Sequence, residues 1–341
     1  MKPRGLSICY YPSTVVFVDD DPTLLKAVAQ EVQTYAPCAT FTRVEDAIQF
    51  IRTHGRRNFG KRAFQDEDGF NEHRIHEEIY NAKRFSDIAL LVIDYQMPKK
   101  NGLQLSEEVS DFNIPTIMLT GEADETLAVE AFNEGLIDAY IKKSTENLTP
   151  TLVTRIAELQ LRHFLDVSLS MTSILSDRRT NTLSSCFHDR GFVTFFKAFL
   201  SEHGLTEYYL FNCPGDFLVL DRHGKPSWFI VKERKELDAA IQKLFDTHSK
   251  DFKTPQQQAL RLELEEHKRM PFFFSPKTLD QSVSDWIPYL HPCEVLDSGE
   301  EGKVFYYALI PYESQHGVLN LSKIQSCEQY LEQNEKENHG R

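Results

Sequence analysis

Apolar positions in this chain follow two regimes. From residue 14 to about residue 143, short apolar runs alternate with segments whose apolar residues recur every three or four positions. An unalternated run between helical patterns reads as a strand buried on both faces of a parallel sheet. Residues 14–18 form the first such run, followed by Asp19, Asp20, Asp21 and Pro22. Proline just inside a helix start, behind an acidic cap, marks a helix N-terminus. Leu24, Leu25, Val28, Ala29 and Val32 then continue at helical spacing. Residues 38–42 read as a second strand and 44–52 as a second helix. Leu90-Leu91-Val92-Ile93 is the third apolar run and ends in one carboxylate, Asp94. A turn closing at Gly102 leads to a helix over 102–109, a strand over 114–119 ending at Thr120, a helix over 123–134 and a short strand over 139–141 ending at Lys142-Lys143. Five strands alternating with helices predict an α/β fold, a doubly wound five-stranded parallel sheet.

The alternation stalls over residues 54–85. Residues 54–70 are charged and aperiodic, whereas 71–85 look helical, with Ile75, Ile79 and Ala82 in register. This reads as an insertion with its own helix. Its Arg56, Arg57, Lys61 and Arg62 read either as a solvated loop or as a partner contact. Beyond Pro150 a long helix is expected over 151–175. Leu161, Phe164, Ser168, Met171 and Leu175 are spaced 3-4-3-4, which suits a helix paired across a dimer or one packed on its own domains; Ser168 interrupts the seam. After a polar boundary at 177–181 the period changes. An aromatic-rich helix (192–200) precedes three strand-like runs (208–211, 216–220, 227–231) joined by turn sequences. Helices over 236–245 and 255–267 and a hairpin of 289–296 with 304–310 complete an α+β pattern with an antiparallel sheet. The expected organisation is a parallel-sheet domain at 13–148 with the 54–85 insertion, a helical linker at 149–179, an α+β domain at 180–330 and a structureless polar tail at 331–341.

A length of 341 residues, 41% hydrophobic and 26% charged, suits a soluble protein of two or three domains. No apolar run reaches membrane-span length, and the first residues lack a signal-peptide core. Six scattered cysteines without a CxxC pair suit a reducing cytoplasm and argue against a cysteine-built zinc site. The net charge of −13 disfavours non-specific binding to nucleic acid or anionic membrane and leaves a local basic patch open.

The candidate chemistry lies at the strand ends. In a right-handed doubly wound sheet the carboxyl ends of all strands share one edge, where ligands bind. The first strand brings Asp19 and Asp20 there, the third Asp94, the fourth Thr120 and the fifth Lys143. Three carboxylates on one edge repel unless a divalent cation sits among them, and an oxygen-only set suits Mg²⁺. A lysine adds a compact positive charge and a threonine a hydroxyl donor. This set allows phosphoryl transfer onto Asp94 as nucleophile, with metal and Lys143 balancing the developing charge.

VVFVDDDP, VIDYQMPKKNG, IMLTG and YIKKS resemble the signature of the two-component receiver domain over residues 13–148. The resemblance implies a flavodoxin-like sheet of order 2-1-3-4-5. It implies that Asp94 accepts phosphoryl from a histidine kinase or phosphotransfer protein. Asp19 and Asp20 would hold Mg²⁺ together with Asp94 and the Gln96 backbone carbonyl. Thr120 would bond the phosphoryl group, and Tyr140 would be the aromatic switch. Lys143, three residues after Tyr140, fits the receiver spacing better than Lys142, and Asp21 reads as a helix-terminal charge. Ser144 departs from the family pattern, which places a proline after a cis peptide there, and so puts the pose of Lys143 in question. The resemblance further implies a cytoplasmic response regulator, catalytic only in its own phosphorylation and dephosphorylation. Phosphorylation would drive homodimerisation or release of the second domain. An elongated receiver joined to such a second half resembles quorum-sensing response regulators. Three readings of that half stay open: one that binds or processes a nucleotide or second messenger, a protein-interaction module, and a transcription regulator.

Overall fold

The computed structural model describes residues 5–34, 36–55, 65–66, 69–70, 73–121, 125–177, 185–212, 215–248, 252–272, 286–299, 303–313 and 319–339. Strand β1 (Cys9–Tyr10) leads into β2 (Thr14–Val18), α1 (Pro22–Val32), β3 (Cys38–Phe41) and α2 (Val44–His54). A small hairpin of β4 (Gln65–Asp66) and β5 (Gly69–Phe70) and the short α3 (His73–Glu77) follow. Then come β6 (Ile88–Asp94), α4 (Gly102–Glu108), β7 (Thr116–Thr120), α5 (Glu125–Asn133), β8 (Ala139–Lys142) and the 30-residue α6 (Leu148–Asp177). Strands β3-β2-β6-β7-β8 form one parallel sheet in that order, which is the expected 2-1-3-4-5 arrangement. Its inner strands β2, β6 and β7 lack alternation because both faces are covered. Val15, Phe17, Leu90 and Val92 meet α1 and α6 through Leu25, Val28, Leu152 and Ile156. Val16, Val18, Leu91 and Ile93 meet α2 and α4 through Val44, Ile48, Ile51 and Leu105.

The second half consists of α7 (Arg190–Glu202), β9 (Leu205–Asn212), β10 (Asp216–Asp221), β11 (Pro226–Glu233), α8 (Arg234–His248), α9 (Pro255–Glu265), β12 (Arg269–Pro271), β13 (Leu290–Pro292), β14 (Glu294–Asp297), β15 (Val304–Pro311) and α10 (Cys327–His339). Its main sheet, β1-β9-β10-β11-β15-β14, is antiparallel throughout. Phe192, Phe196 and Phe199 of α7 pack on one face against Tyr208, Phe217 and Phe229. On the other face Trp228 meets Phe211, Phe272 and Tyr312.

Several expectations are corrected. Residues 71–85 are not one helix: α3 stops at Glu77 and two 3-10 turns follow, Glu78–Tyr80 and Ala82–Ser86. Asn81 breaks the run, its backbone extended and its side chain accepting from Lys83 N–H at 3.1 Å. Nor does this segment belong to the parallel sheet alone, because Ile75 and Ile79 are buried in the core of the second half. Arg56, Arg57, Lys61 and Arg62 lie outside the described residues. The strand expected over 289–296 divides: β13 pairs with β12 and β14 with β15. Pro292 lacks the N–H needed to continue a ladder. The tail at 331–341 is not structureless, since α10 runs to His339. Ser326 starts it with a reciprocal pair, its hydroxyl accepting from Gln329 N–H while Gln329 Oε1 accepts from Ser326 N–H, both at 3.1 Å. Cys327 is buried, and Tyr330 packs 5.5 Å from the Phe85 ring.

The long helix α6 serves both halves. Leu152, Ile156 and Leu159 lie in the parallel-sheet core, and Phe164 lies in the aromatic core of the other. Ser168, which breaks the apolar seam, donates to Phe164 O at 2.7 Å and accepts from Ile8 N–H at 2.9 Å. Up to Ser168 the helix therefore packs on its own chain; the side chains of Met171 and Leu175 lie outside the description. No helix among the described residues is long and apolar enough to cross a membrane.

Candidate functional site

The strand ends converge as the parallel topology requires. Asp94 is the last residue of β6, and Asp19 directly follows β2; both side chains are buried, whereas Asp20 is exposed. Carboxylate oxygens of Asp19, Asp20 and Asp94 all lie within 4.8 Å of one another. Lys143 follows β8, and its backbone N–H donates to Thr120 O at 2.9 Å. Its ammonium lies 2.8 Å from Asp19 Oδ2 and 2.9 Å from Asp94 Oδ2. The described peptide bonds are all trans, so Lys143 reaches both carboxylates with a trans bond to Ser144. Lys142 points elsewhere, to Glu125 at 2.7 Å. Asp21 caps α1, accepting from Thr23 and Leu24 N–H at 2.8 and 3.3 Å. Those two bonds hold its carboxyl below the usual range. Thr120, the last residue of β7, has a buried Oγ1 with no hydrogen-bond partner among the described residues. Gln96, two residues past Asp94, directs its backbone N–H at the Asp94 carboxylate. Tyr140 is half-buried against Met118, Ala131 and Ile137, edge-on to Phe132 at 6.3 Å.

Burial and then Asp19 push the Asp94 carboxyl above its usual value, partly offset by Lys143 and the Gln96 N–H. Burial disfavours the Lys143 ammonium, yet its bonds to Asp19 and Asp94 outweigh this and raise it. Three carboxylates around one ammonium leave two negative charges, which a divalent cation would neutralise. The all-oxygen donor set fits Mg²⁺, with Asp19, Asp20 and Asp94 as the residues that would hold it.

Two features of the loop after Asp94 escaped the sequence reading. Lys99 has φ of 71°, and only the turn residues around it hinted at a left-handed position. Gly102 begins α4 directly beneath the Asp94 backbone. A Cβ there would overlap the Asp94 carbonyl oxygen and come within 3.0 Å of Ile93 Cγ2. Gly102→Ala is therefore expected to displace the end of β6, lowering stability by about 1–3 kcal/mol and slowing modification of Asp94. Thermal unfolding together with the rate of reaction with acetyl phosphate checks both effects.

Comparison with known proteins gives the class. The family model of the response regulator receiver domain matches residues 63–154. The transcriptional regulatory protein FixJ of Rhizobium meliloti (strain 1021) is 30% identical over 103 residues; the match covers 28% of this chain and half of FixJ. This chain belongs to the response-regulator family. Its likeness to one member is end to end: the structure of the Legionella pneumophila response regulator LqsR is matched with a TM-score of 0.78 and 30% identity, over 96% of this chain and 95% of that one.

Proposed function

We propose that the chain is phosphorylated on Asp94 by a histidine kinase or phosphotransfer protein and that this changes its self-association. The observation that carries the reading is Lys143 placed between Asp19 and Asp94 at 2.8 and 2.9 Å. A carboxylate oxygen of Asp94 attacks the phosphorus while the bond from phosphorus to the donor breaks. Lys143 balances charge on the phosphoryl oxygens, and the Thr120 hydroxyl turns to donate to one of them. Bound Mg²⁺ would add charge neutralisation at those oxygens. Movement of Thr120 shifts Tyr140 and the neighbouring α5. The face they share carries a groove of about 660 Å³ lined by Phe132, Tyr140, Thr151, Thr154, Arg155 and Glu158, and Phe132 is exposed there. Such a face suits a phosphorylation-dependent homodimer. We assign no catalysis beyond the chain's own phosphorylation and dephosphorylation. The second half, its sheet covered on both faces, is read as a protein-contact module. A thermal-shift screen with nucleotides tests the rival ligand-binding reading, and binding to genomic fragments at low salt tests the transcription-regulator one. A quorum-sensing role rests on the resemblance in domain organisation alone.

Acetyl phosphate with Mg²⁺ is expected to retard the wild-type protein on Phos-tag gels and to leave Asp94→Asn unshifted; retardation of both would remove this acceptor. Because the Asp94 carboxyl is raised in the fold, its ionised form costs stability above that raised value. The penalty is relieved as pH falls through the folded value toward the unfolded one. Asp94→Asn is thus expected to melt higher than wild type at neutral pH, by a margin that shrinks on acidification. The same melting series with and without Mg²⁺ should show metal stabilisation in the wild type only.

A further inference from the structure

The segment that leads into the strand carrying Asp94 is anchored in the other half of the molecule. Arg84, four residues before β6, is fully buried and forms an ion pair with the equally buried Glu207 of β9, its Nε and Nη2 donating at 3.0 and 3.3 Å. The same guanidinium donates to Ile79 O at 3.0 Å and to Gln325 O, just ahead of α10, at 2.6 Å. Tyr209 donates to Glu207 at 2.6 Å. Asp87, the residue before β6, accepts from Tyr11 at 2.9 Å, and its carbonyl receives Thr14 N–H. The insertion, the N-terminal segment, β9 and the approach to α10 thus meet around one buried charge pair. The continuous helix α6 forms a second tie, buried in both cores. Gln160 on it donates to Ser13 O at 2.9 Å, and Ser168 holds Ile8. Pulling the halves apart here would separate the Arg84 guanidinium from the buried Glu207 carboxylate that it neutralises, and would bend a helix that runs unbroken through both cores. Asp94 itself lies at the opposite end of β6, about 20 Å from this junction at the rise of an extended strand.

We propose that the two halves are one cooperative unit and stay docked when Asp94 is phosphorylated, so that the modified state is read from the surface of the intact molecule and not by releasing the second half. The clause on phosphorylation rests on the phosphoacceptor reading; the cooperative unit does not.

Both tryptophans, Trp228 and Trp286, lie buried in the second half, so their fluorescence reports that half alone. Leu91→Ala and Ile93→Val weaken only the parallel-sheet core, where both residues are fully buried. In urea unfolding of the full chain, the tryptophan midpoint is expected to fall on the order of 1 M for Leu91→Ala and by a smaller step for Ile93→Val. Tryptophan midpoints at the wild-type value would overturn the cooperative unit, and Ile93→Val alone decides the matter if Leu91→Ala does not fold. Hydrogen exchange of the full chain with Mg²⁺ and beryllofluoride, a phosphoryl stand-in, supplies the second arm. Residues 79–87 and 205–212 are expected to keep their protection while amides around Thr120 and Lys143 change. Faster exchange in both junction segments would overturn continued docking. Unchanged amides around Thr120 would instead count against the phosphoacceptor reading, with the urea series still deciding the unit.

Discussion

Arg84→Met is expected to lower the stability of the whole chain by about 3–5 kcal/mol, the usual cost of removing one partner from a buried ion pair. Arg84 and Glu207 are both completely shielded from solvent. Burial alone would loosen the proton on Arg84; Tyr209 and Glu207 more than offset that and hold the guanidinium charged. Methionine fills much of the same volume but leaves the Glu207 carboxylate, among the described residues, with the Tyr209 hydroxyl as its remaining side-chain donor. The carbonyls of Ile79 and Gln325 also lose their donor. The double variant Arg84→Met with Glu207→Leu removes the stranded charge and should regain most of the loss. Urea unfolding of the wild type, the single and the double variant measures this; a single variant within 1 kcal/mol of wild type would mean that water or a rearranged partner solvates Glu207.

Lys143→Met is expected to slow phosphorylation of Asp94 by about 10²–10³, the range seen when one preorganised charge-stabilising group is removed from a reacting centre. The ammonium touches both carboxylates and so does two things. It offsets one of the site's three negative charges at rest, and on the phosphoacceptor reading it would face the oxygens on which charge grows. Its raised folded value fixes the pH signature. The stabilisation that Lys143 provides is fully present below its unfolded value and is lost as pH rises through the higher folded one. The methionine variant should therefore be less stable than wild type at neutral pH, and the two should converge only in strong alkali. Phosphorylation time courses with acetyl phosphate and pH-dependent melting give the two readouts independently.

The parallel sheet was legible because its three inner strands are buried on both faces and because the edge chemistry repeats at strand ends. Asp19, Asp94, Thr120 and Lys143 are separated by many residues but assembled by topology, and topology follows from the alternation. Lys142 and Lys143 could be separated only by family spacing, and the ion pair of Lys142 with Glu125 shows where the other lysine goes. The junction was not legible. Arg84 sits in a polar stretch, and nothing local distinguishes a solvated arginine from one whose partner lies 123 residues away. Ile75 and Ile79 displayed helical spacing, yet the spacing is silent about which core receives them, and Asn81 breaks the run between the two 3-10 turns by a side-chain bond that competes with the backbone. Strand β1 is two residues long, too short for any period to register. The polar composition of α10 hid a helix that is held by one buried turn.

The pairing of β1 with β9 also sets a schedule for synthesis. Ser7 bonds to Tyr208 across a separation of 201 residues, and translation at 5–20 residues per second takes roughly 10–40 s to cover that distance. Throughout that interval the segment with Tyr10 and Tyr11 waits for its partner strand to be made. The parallel sheet can assemble on the ribosome in the meantime, but β1 must wait for β9 before it can join the edge of the antiparallel sheet.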